Sequence, residues 1–312
     1  MKVLFIDSVH PILEQRLTEV GMECVMYYPL SRAEILEVIG TFEGLVVRSR
    51  TPIDAELIAA AKELKFIARS GSGLENIDLD VCSARNISVY NAPEGNRVAV
   101  AEHAIGMLLS LFNHLSRCDA EVRQGLWRRE ENRGVELEGK TVGIIGFGQN
   151  GSAMAQRLSG FNCEILAYDK YVVNYAPAGV KETTMDELFQ RCDVLSLHIP
   201  LTTETQRLVD EGFIAKFQKP IYIINTSRGP ILNTRALLDA LSSGKALGAC
   251  LDVLEFERTS FENLGKDEQP KDLQELLASN KVVLSPHVAG WTVESYIKLS
   301  DILAEKILAD WT

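Results

Sequence analysis

KTVGIIGFGQNGSAMAQRLSG (140–160) runs from an unbroken apolar segment through Gly146, Gly148 and Gly151 into a helical pattern. The spacing G-x-G-x-x-G is weak evidence by itself. Between a strand and a helix, however, the glycines permit a tight turn, backbone approach to a pyrophosphate, and close helix–strand packing. The anion would lie at the helix N-terminus, where amides lack partners and the helix dipole favours negative charge. The next apolar run, CEILAYD (163–169), ends in Asp169, 18 residues past Gly151. A carboxylate there can accept the hydroxyls of an adenine ribose and repels a 2′-phosphate. The segment predicts a dinucleotide fold that takes NAD. The plain alternative is a tight turn without a ligand.

Outward from this unit, short apolar runs alternate with helical patterns. KVLFID (2–7), ECVMYY (23–28), GLVVRS (44–49), KFIARS (65–70) and ISVYNA (87–92) form one series. KTVGIIG (140–146), CEILAYD (163–169), DVLSLHIP (193–200), IYIINTS (221–227), LGACLDV (247–253) and KVVLSPH (281–287) form a second. Apolar runs without polar alternation, separated by helices, indicate parallel sheets covered on both faces. The fold class is therefore α/β, with two doubly wound domains. The segment 97–125 reads as one long, largely apolar helix, and the apolar surface around Val98–Leu115 predicts burial between two subunits. Residues 292–311 form an amphipathic helix that must dock on a domain already built, and 255–274 reads as a polar surface loop.

The 312 residues carry 32 Lys and Arg against 43 Asp and Glu, a net charge of −11. That balance argues against nucleic acid or an anionic membrane as partner. No apolar run approaches the roughly 20 residues that span a bilayer. The six cysteines are scattered, with no C-x-x-C and no metal-ligand spacing. A cytoplasmic protein with reduced thiols and no metal is the expectation.

Three strand ends of the second series carry polar residues suited to one chemistry. Arg228 follows IYIINTS, Asp252 and Glu257 follow LGACL, and His287 follows KVVLSP. Ligands of open parallel sheets bind at the carboxyl ends of the strands. A His can give or take a hydroxyl proton, a carboxylate can orient it, and an Arg can grip a carboxylate or carbonyl. Singly, each residue is more simply structural. Together on a dinucleotide domain they point to hydride transfer at a carbon bearing a hydroxyl.

The chain resembles the D-isomer-specific 2-hydroxyacid dehydrogenases, nearest to their D-3-phosphoglycerate dehydrogenase branch. The likeness runs through VRSRT (47–51), RSGSGLENID (69–78), NAPEGN (91–96), AEHAIGMLLSL (101–111) and ELEGKTVGIIGFGQNG (136–151). It continues in HIPLTTET (198–205), INTSRGPILN (224–233), LDVLEFE (251–257) and SPHVAGWT (285–292). The resemblance implies a flavodoxin-like substrate domain of residues 1–96 plus 289–312, and a Rossmann NAD-binding domain over 97–288. It implies Arg228, Glu257 and His287 as the catalytic Arg, Glu and His. Gln149 and Asn150 would offer amides to the pyrophosphate, Asp252 would hold the nicotinamide carboxamide, and Ile199, Thr226 and Ser227 would line the cofactor site. Ser70, Gly71 and Ser72 match a loop whose amides take the substrate carboxylate, with Ser72 also beside the cofactor. The helix near 97–118 would form a homodimer interface.

Arg48 and Arg69 fall at strand ends of the substrate domain, and Arg129 matches a position that reaches the substrate from the neighbouring subunit. With Arg228 they supply more positive charge than one carboxylate needs, so 3-phosphoglycerate or phosphohydroxypyruvate is the expected substrate. Glyoxylate or unphosphorylated hydroxypyruvate is the alternative. A second class, an NAD-sensing binding protein like the C-terminal-binding corepressors, keeps the same residues; the lack of further terminal segments for recruiting partners favours the enzyme. Two departures stand out: Asn150 replaces the family's usual Ile, and Arg258 replaces the Pro that usually follows Glu257.

Overall fold

The computed structural model describes residues 1–257 and 269–311. In chain order the first series is β1 (Lys2–Phe5), α1 (Ile12–Glu19), β2 (Glu23–Met26), α2 (Arg32–Val38) and β3 (Gly44–Val47). Next come α3 (Ala55–Ala60), β4 (Phe66–Arg69), α4 (Leu79–Ala84) and β5 (Ser88–Asn91). After α5 (Pro93–Phe112) and α6 (Leu115–Arg123), the second series opens with β6 (Thr141–Ile145), α7 (Gln149–Leu158), β7 (Glu164–Tyr168) and β8 (Lys181–Glu182). It continues with α8 (Met185–Arg191), β9 (Val194–Leu197), α9 (Glu211–Ala215), β10 (Ile221–Asn225) and α10 (Thr234–Ser243). β11 (Ala246–Leu251), α11 (Lys271–Ala278), β12 (Val282–Leu284) and α12 (Val293–Trp311) complete the chain.

Two compact units result. The first comprises Met1–Arg97 and the chain from Trp291 onward; the second runs from Val98 to Glu257 and resumes through Gly290. The first unit's sheet is wholly parallel in the order β2-β1-β3-β4-β5, the flavodoxin-like winding. Every residue of β3 and β4 is buried, which is why these strands read as unbroken apolar runs. Asp54 and Asp78 cap α3 and α4 by accepting the Leu57 and Val81 amides. α12 docks here, placing Leu303, Ala304 and Ile307 against Val3, Phe5, Leu13 and Leu17. Arg16 on α1 also donates to Asp301 on α12 at 2.6 Å.

The second unit's parallel sheet has the order β12-β11-β10-β9-β6-β7-β8. Its six strands from β8 across to β11 follow the Rossmann winding, with β12 added at the far edge and the order reversing beside β6. Ala101, Ala104 and Leu108 of α5 pack with Val142, Ile144, Met154 and Leu158 under one sheet face.

The long helix expected over 97–125 is two helices bent by 58°. His114 takes a left-handed conformation at φ 51°, and the Asn113 side chain donates to the Leu109 carbonyl, closing α5. The apolar residues of α5 are absorbed inside the second unit, whereas α6 buries none of its own. The surface that suggested a subunit contact at 98–115 is therefore largely spent within the chain; Leu115, Val122 and Trp127 are exposed instead. No single described helix is long and apolar enough to cross a membrane. The polar stretch 255–274 is not all loop, because Lys271 opens α11, while residues 258–268 lie outside the described residues. All six cysteines are free thiols.

Leu303 is fully buried in the docking face of α12. Leu303→Ala should destabilise the first unit by about 2–5 kcal/mol, the usual cost of a core Leu truncation. Urea denaturation checks this; a change below about 1 kcal/mol would mean that α12 only rests on the surface.

Candidate active site

A single rung crosses the second sheet. Tyr168 pairs with Ile145, Ile145 with Leu197, Leu197 with Asn225, Asn225 with Leu251, and Leu251 with Leu284. Asp169, Gly146, Ile199, Thr226, Ser227, Arg228, Asp252 and His287 all fall within three residues after it. Neighbouring strands lie about 4.8 Å apart, so six strand ends present these groups along one edge.

On that edge, after β6 and between the ends of β9 and β7, Gly146 has φ 89° and its amide donates to the Tyr168 carbonyl at 2.8 Å. A side chain on Gly151 would meet the Gly146 carbonyl at 2.0 Å, so α7 can start this close to β6 only with glycine there. Gly148 faces open space at the N-terminus of α7, and Gln149 and Asn150 form its first turn. Asp169 Oδ2 accepts the Phe147 amide at 2.8 Å, and Oδ1 accepts those of Tyr171 and Val172 at 2.9 and 3.2 Å. Burial works against its charge, but these amides outweigh it and hold the carboxyl below its ordinary range. Three of about four lone-pair sites are thus filled within the chain, which leaves room for one ribose hydroxyl rather than two.

His287 has φ 54°, a left-handed conformation unusual for a side chain of its size. Its Nδ1 lies 2.7 Å from Glu257 Oε2. A carboxylate only accepts, so Nδ1 carries a hydrogen and Nε2 is the nitrogen turned away from Glu257. The Leu254 amide donates to Glu257 Oε1 and so fixes the carboxylate in turn. Asp252 is 1% exposed and holds the loop that carries His287. Its Oδ1 accepts from the Ser285 hydroxyl at 2.6 Å and the Val288 amide at 2.9 Å, and Oδ2 accepts the Ala289 amide at 2.9 Å. Arg228 is half-buried after β10 and donates through Nη1 to the Ser227 carbonyl at 2.7 Å. His198, the other histidine at this edge, sits 2.8 Å from Ser196 Oγ, and desolvation pushes it down to about 4. It is neutral near pH 7 and does not compete as an acid.

In the first unit, Val47, Arg69 and Asn91 share a rung, and Arg48 and Ser70–Ser72 follow it. The Ser70 amide is already bonded to the Val47 carbonyl at 2.8 Å, which removes one of the three donors expected there. The amides of Gly71 and Ser72 have no partner among the described residues. Ser72 is held by its hydroxyl on Asn96 at 2.7 Å and by the Asn91 amide on its carbonyl. Arg69 is 9% exposed and folds beneath this turn; a side chain on Gly71 would lie 1.8 Å from its Nη1. Its guanidinium is largely covered and lies close against Gly71 of its own loop. Arg48 keeps a cation at the edge, stacked 4.5 Å over the Trp291 ring. Arg129 is exposed in the turn after α6.

Residues 105–289 match the family described as "D-isomer specific 2-hydroxyacid dehydrogenase, NAD binding domain". The chain belongs to this family. It is 36% identical over 310 residues to a D-3-phosphoglycerate dehydrogenase of Archaeoglobus fulgidus, covering 99% of this chain and 57% of that protein. It is 33% identical over 305 residues to the human protein of that name, covering 97% of this chain and 55% of the relative. The chain therefore spans about half the length of the curated relatives it matches. A D-lactate dehydrogenase structure from Aquifex aeolicus, complexed with NAD and lactic acid, superposes with a TM-score of 0.82 at 27% identity over 99% of this chain and 95% of that one. D-2-hydroxyisocaproate dehydrogenase gives a TM-score of 0.85 at 26% identity over 100% and 96%.

The residues at the edge fit the family's NAD. Two buried polar atoms, Asn150 Oδ1 and Thr226 Oγ1, have no partner among the described residues, as expected of groups that a bound polar ligand would satisfy. Ser227, by contrast, spends its hydroxyl on the Leu197 carbonyl and serves the scaffold. Ser285 and His103 also belong to this region, and both lie inside the motifs SPHVAGWT and AEHAIGMLLSL. Neither motif showed that the Ser285 hydroxyl would bridge His103 and Asp252. Trp291, the platform for Arg48, likewise carries no sequence signal for that role.

Asp169→Ser should raise the ratio of NADPH to NADH use at least about tenfold, because a 2′-phosphate no longer meets a charge. In the parent, preference for NADH should persist down to about pH 5: a carboxyl held below its usual value near 3.9 stays ionised there. Dissociation constants of both cofactors across pH test this, and parent affinity equal for the two would refute the assignment.

Proposed function

We propose that the chain interconverts a 2-keto acid and its D-2-hydroxy acid, with His287 as proton donor and acceptor at the reacting oxygen. The observation that carries this reading is the 2.7 Å bond between His287 Nδ1 and Glu257 at the carboxyl edge of a family NAD-binding domain. NAD supplies or accepts the hydride at C2 when bound. The Gln149 and Asn150 amides at the start of α7 take the pyrophosphate, and Asp169 takes a ribose hydroxyl. Asp252 has one lone-pair site left, on Oδ2, for the carboxamide, and Ile199, Thr226 and Ser227 would line the rest of the cofactor site. Glu257 fixes the imidazole so that Nε2 delivers the proton, while Arg228 grips the carbonyl or carboxylate. The Gly71 and Ser72 amides offer a small anion nest for the substrate carboxylate.

The preferred substrate is 3-phosphohydroxypyruvate, or D-3-phosphoglycerate in the reverse direction. The names of the relatives support it, as do Arg48 and the exposed Arg129. The folding of Arg69 under its own loop removes one cation and favours the rival reading, reduction of glyoxylate or hydroxypyruvate. Assembly as a homodimer is supported by the exposed Leu115, Val122 and Trp127.

His287→Ala should lower turnover roughly 10²–10⁴-fold while leaving NADH affinity nearly intact. Loss of cofactor binding instead would make His287 structural. Arg48→Ala should raise KM for phosphohydroxypyruvate by about tenfold or more and leave glyoxylate nearly unchanged, as expected for one lost charged hydrogen bond of about 1.5–3 kcal/mol. Equal kcat/KM of the parent for both acids would sink the phosphorylated substrate. No turnover on any keto acid would favour the NAD-sensing role.

A further inference from the structure

We propose that His103 is a positioning residue for the catalytic loop, acting through Ser285 and Asp252; the proposal rests on His287 being the proton donor. His103 lies on α5, far in sequence from the loop. Its Nε2 is 2.8 Å from the Ser285 hydroxyl, which is itself 2.6 Å from Asp252 Oδ1. The direct distance from His103 Nε2 to Asp252 Oδ1 is 3.6 Å, too long for a hydrogen bond, so the serine is the link.

One hydroxyl proton fixes the direction of the chain. The Asp252 carboxylate can only accept, so Ser285 donates to it. Ser285 Oγ must then accept from His103, and Nε2 of His103 carries a hydrogen. The result is a run of donors from α5 into a buried carboxylate. That carboxylate also accepts the Val288 and Ala289 amides, and the Asp252 carbonyl accepts the His287 amide at 2.8 Å. A left-handed non-glycine residue persists where its surroundings over-determine it, and His287 at φ 54° is held in this way on both sides. Removing the outer donor leaves the serine oxygen without its partner and loosens the hold on Asp252. The reacting imidazole then samples other positions, although no group that touches substrate has changed.

The test compares His103→Leu, which cannot donate, with His103→Gln, which offers an N–H at similar reach. Two quantities are read: kcat with a keto acid, and amide hydrogen exchange at residues 288–289 in the protein without cofactor. Leu should lower kcat about tenfold and speed exchange at those amides, with keto-acid KM within about twofold of the parent, and Gln should restore both. Ser285→Ala removes the middle link without altering α5 and should reproduce the Leu result even if that variant folds poorly. The proposal is overturned if Leu matches the parent, if Leu and Gln are equally impaired, or if kcat falls without faster exchange at 288–289. His287→Ala assayed in parallel separates the two ideas. Undiminished turnover there would reject the proton-donor reading, while exchange in the His103 variants still judges the anchoring.

Discussion

Parallel pairing brings strand ends to one edge of a sheet, and everything at the candidate site depends on that register. Six strands of the second unit share the rung from Tyr168 to Leu284. The residues after it therefore arrive side by side, although they lie as far apart in sequence as Gly146 and His287. A one-residue slip would turn each strand's side chains to the opposite face, and burial on both faces forbids it. The chemistry is placed by the same hydrogen bonds that build the core.

In each unit separately, carboxylates just past the strands fix the loops at that unit's own sheet edge. Asp7, two residues after β1, accepts the Arg48 amide at 2.6 Å and Arg50 Nε at 3.0 Å. Asp169 gathers three amides, and Asp252 gathers two amides and a hydroxyl. Each is an acceptor-only group in a place where strand-end amides would otherwise lack partners. The loops are thus ordered before any ligand arrives, which lowers the ordering cost that binding must overcome.

The fold was legible because fully buried strands leave unbroken apolar runs such as GLVVRS and KTVGIIG, and because Gly146 and Gly151 mark a helix starting too close to a strand for side chains. His287 and Glu257 were legible as residue types at strand ends. Hydrogen-bond occupancy was not. Nothing in RSGSG discloses that Arg69 folds under Gly71 or that the Ser70 amide belongs to the sheet. Periodicity likewise carried 97–125 through as one helix, since the Asn113–His114 break rests on a left-handed residue with no glycine to announce it. The apolar excess of α5 was real, but its destination was the core of its own unit.

The central claim is that hydride and proton reach opposite atoms of one carbonyl, and isotope transfer tests it most directly. The purified protein would be given NADH deuterated at C4 of the nicotinamide, on either face, together with a 2-keto acid. The account predicts deuterium at C2 of a D-2-hydroxy acid from one labelled face only, with the new hydroxyl proton drawn from solvent. An L product, or a product without deuterium from either face, would contradict it.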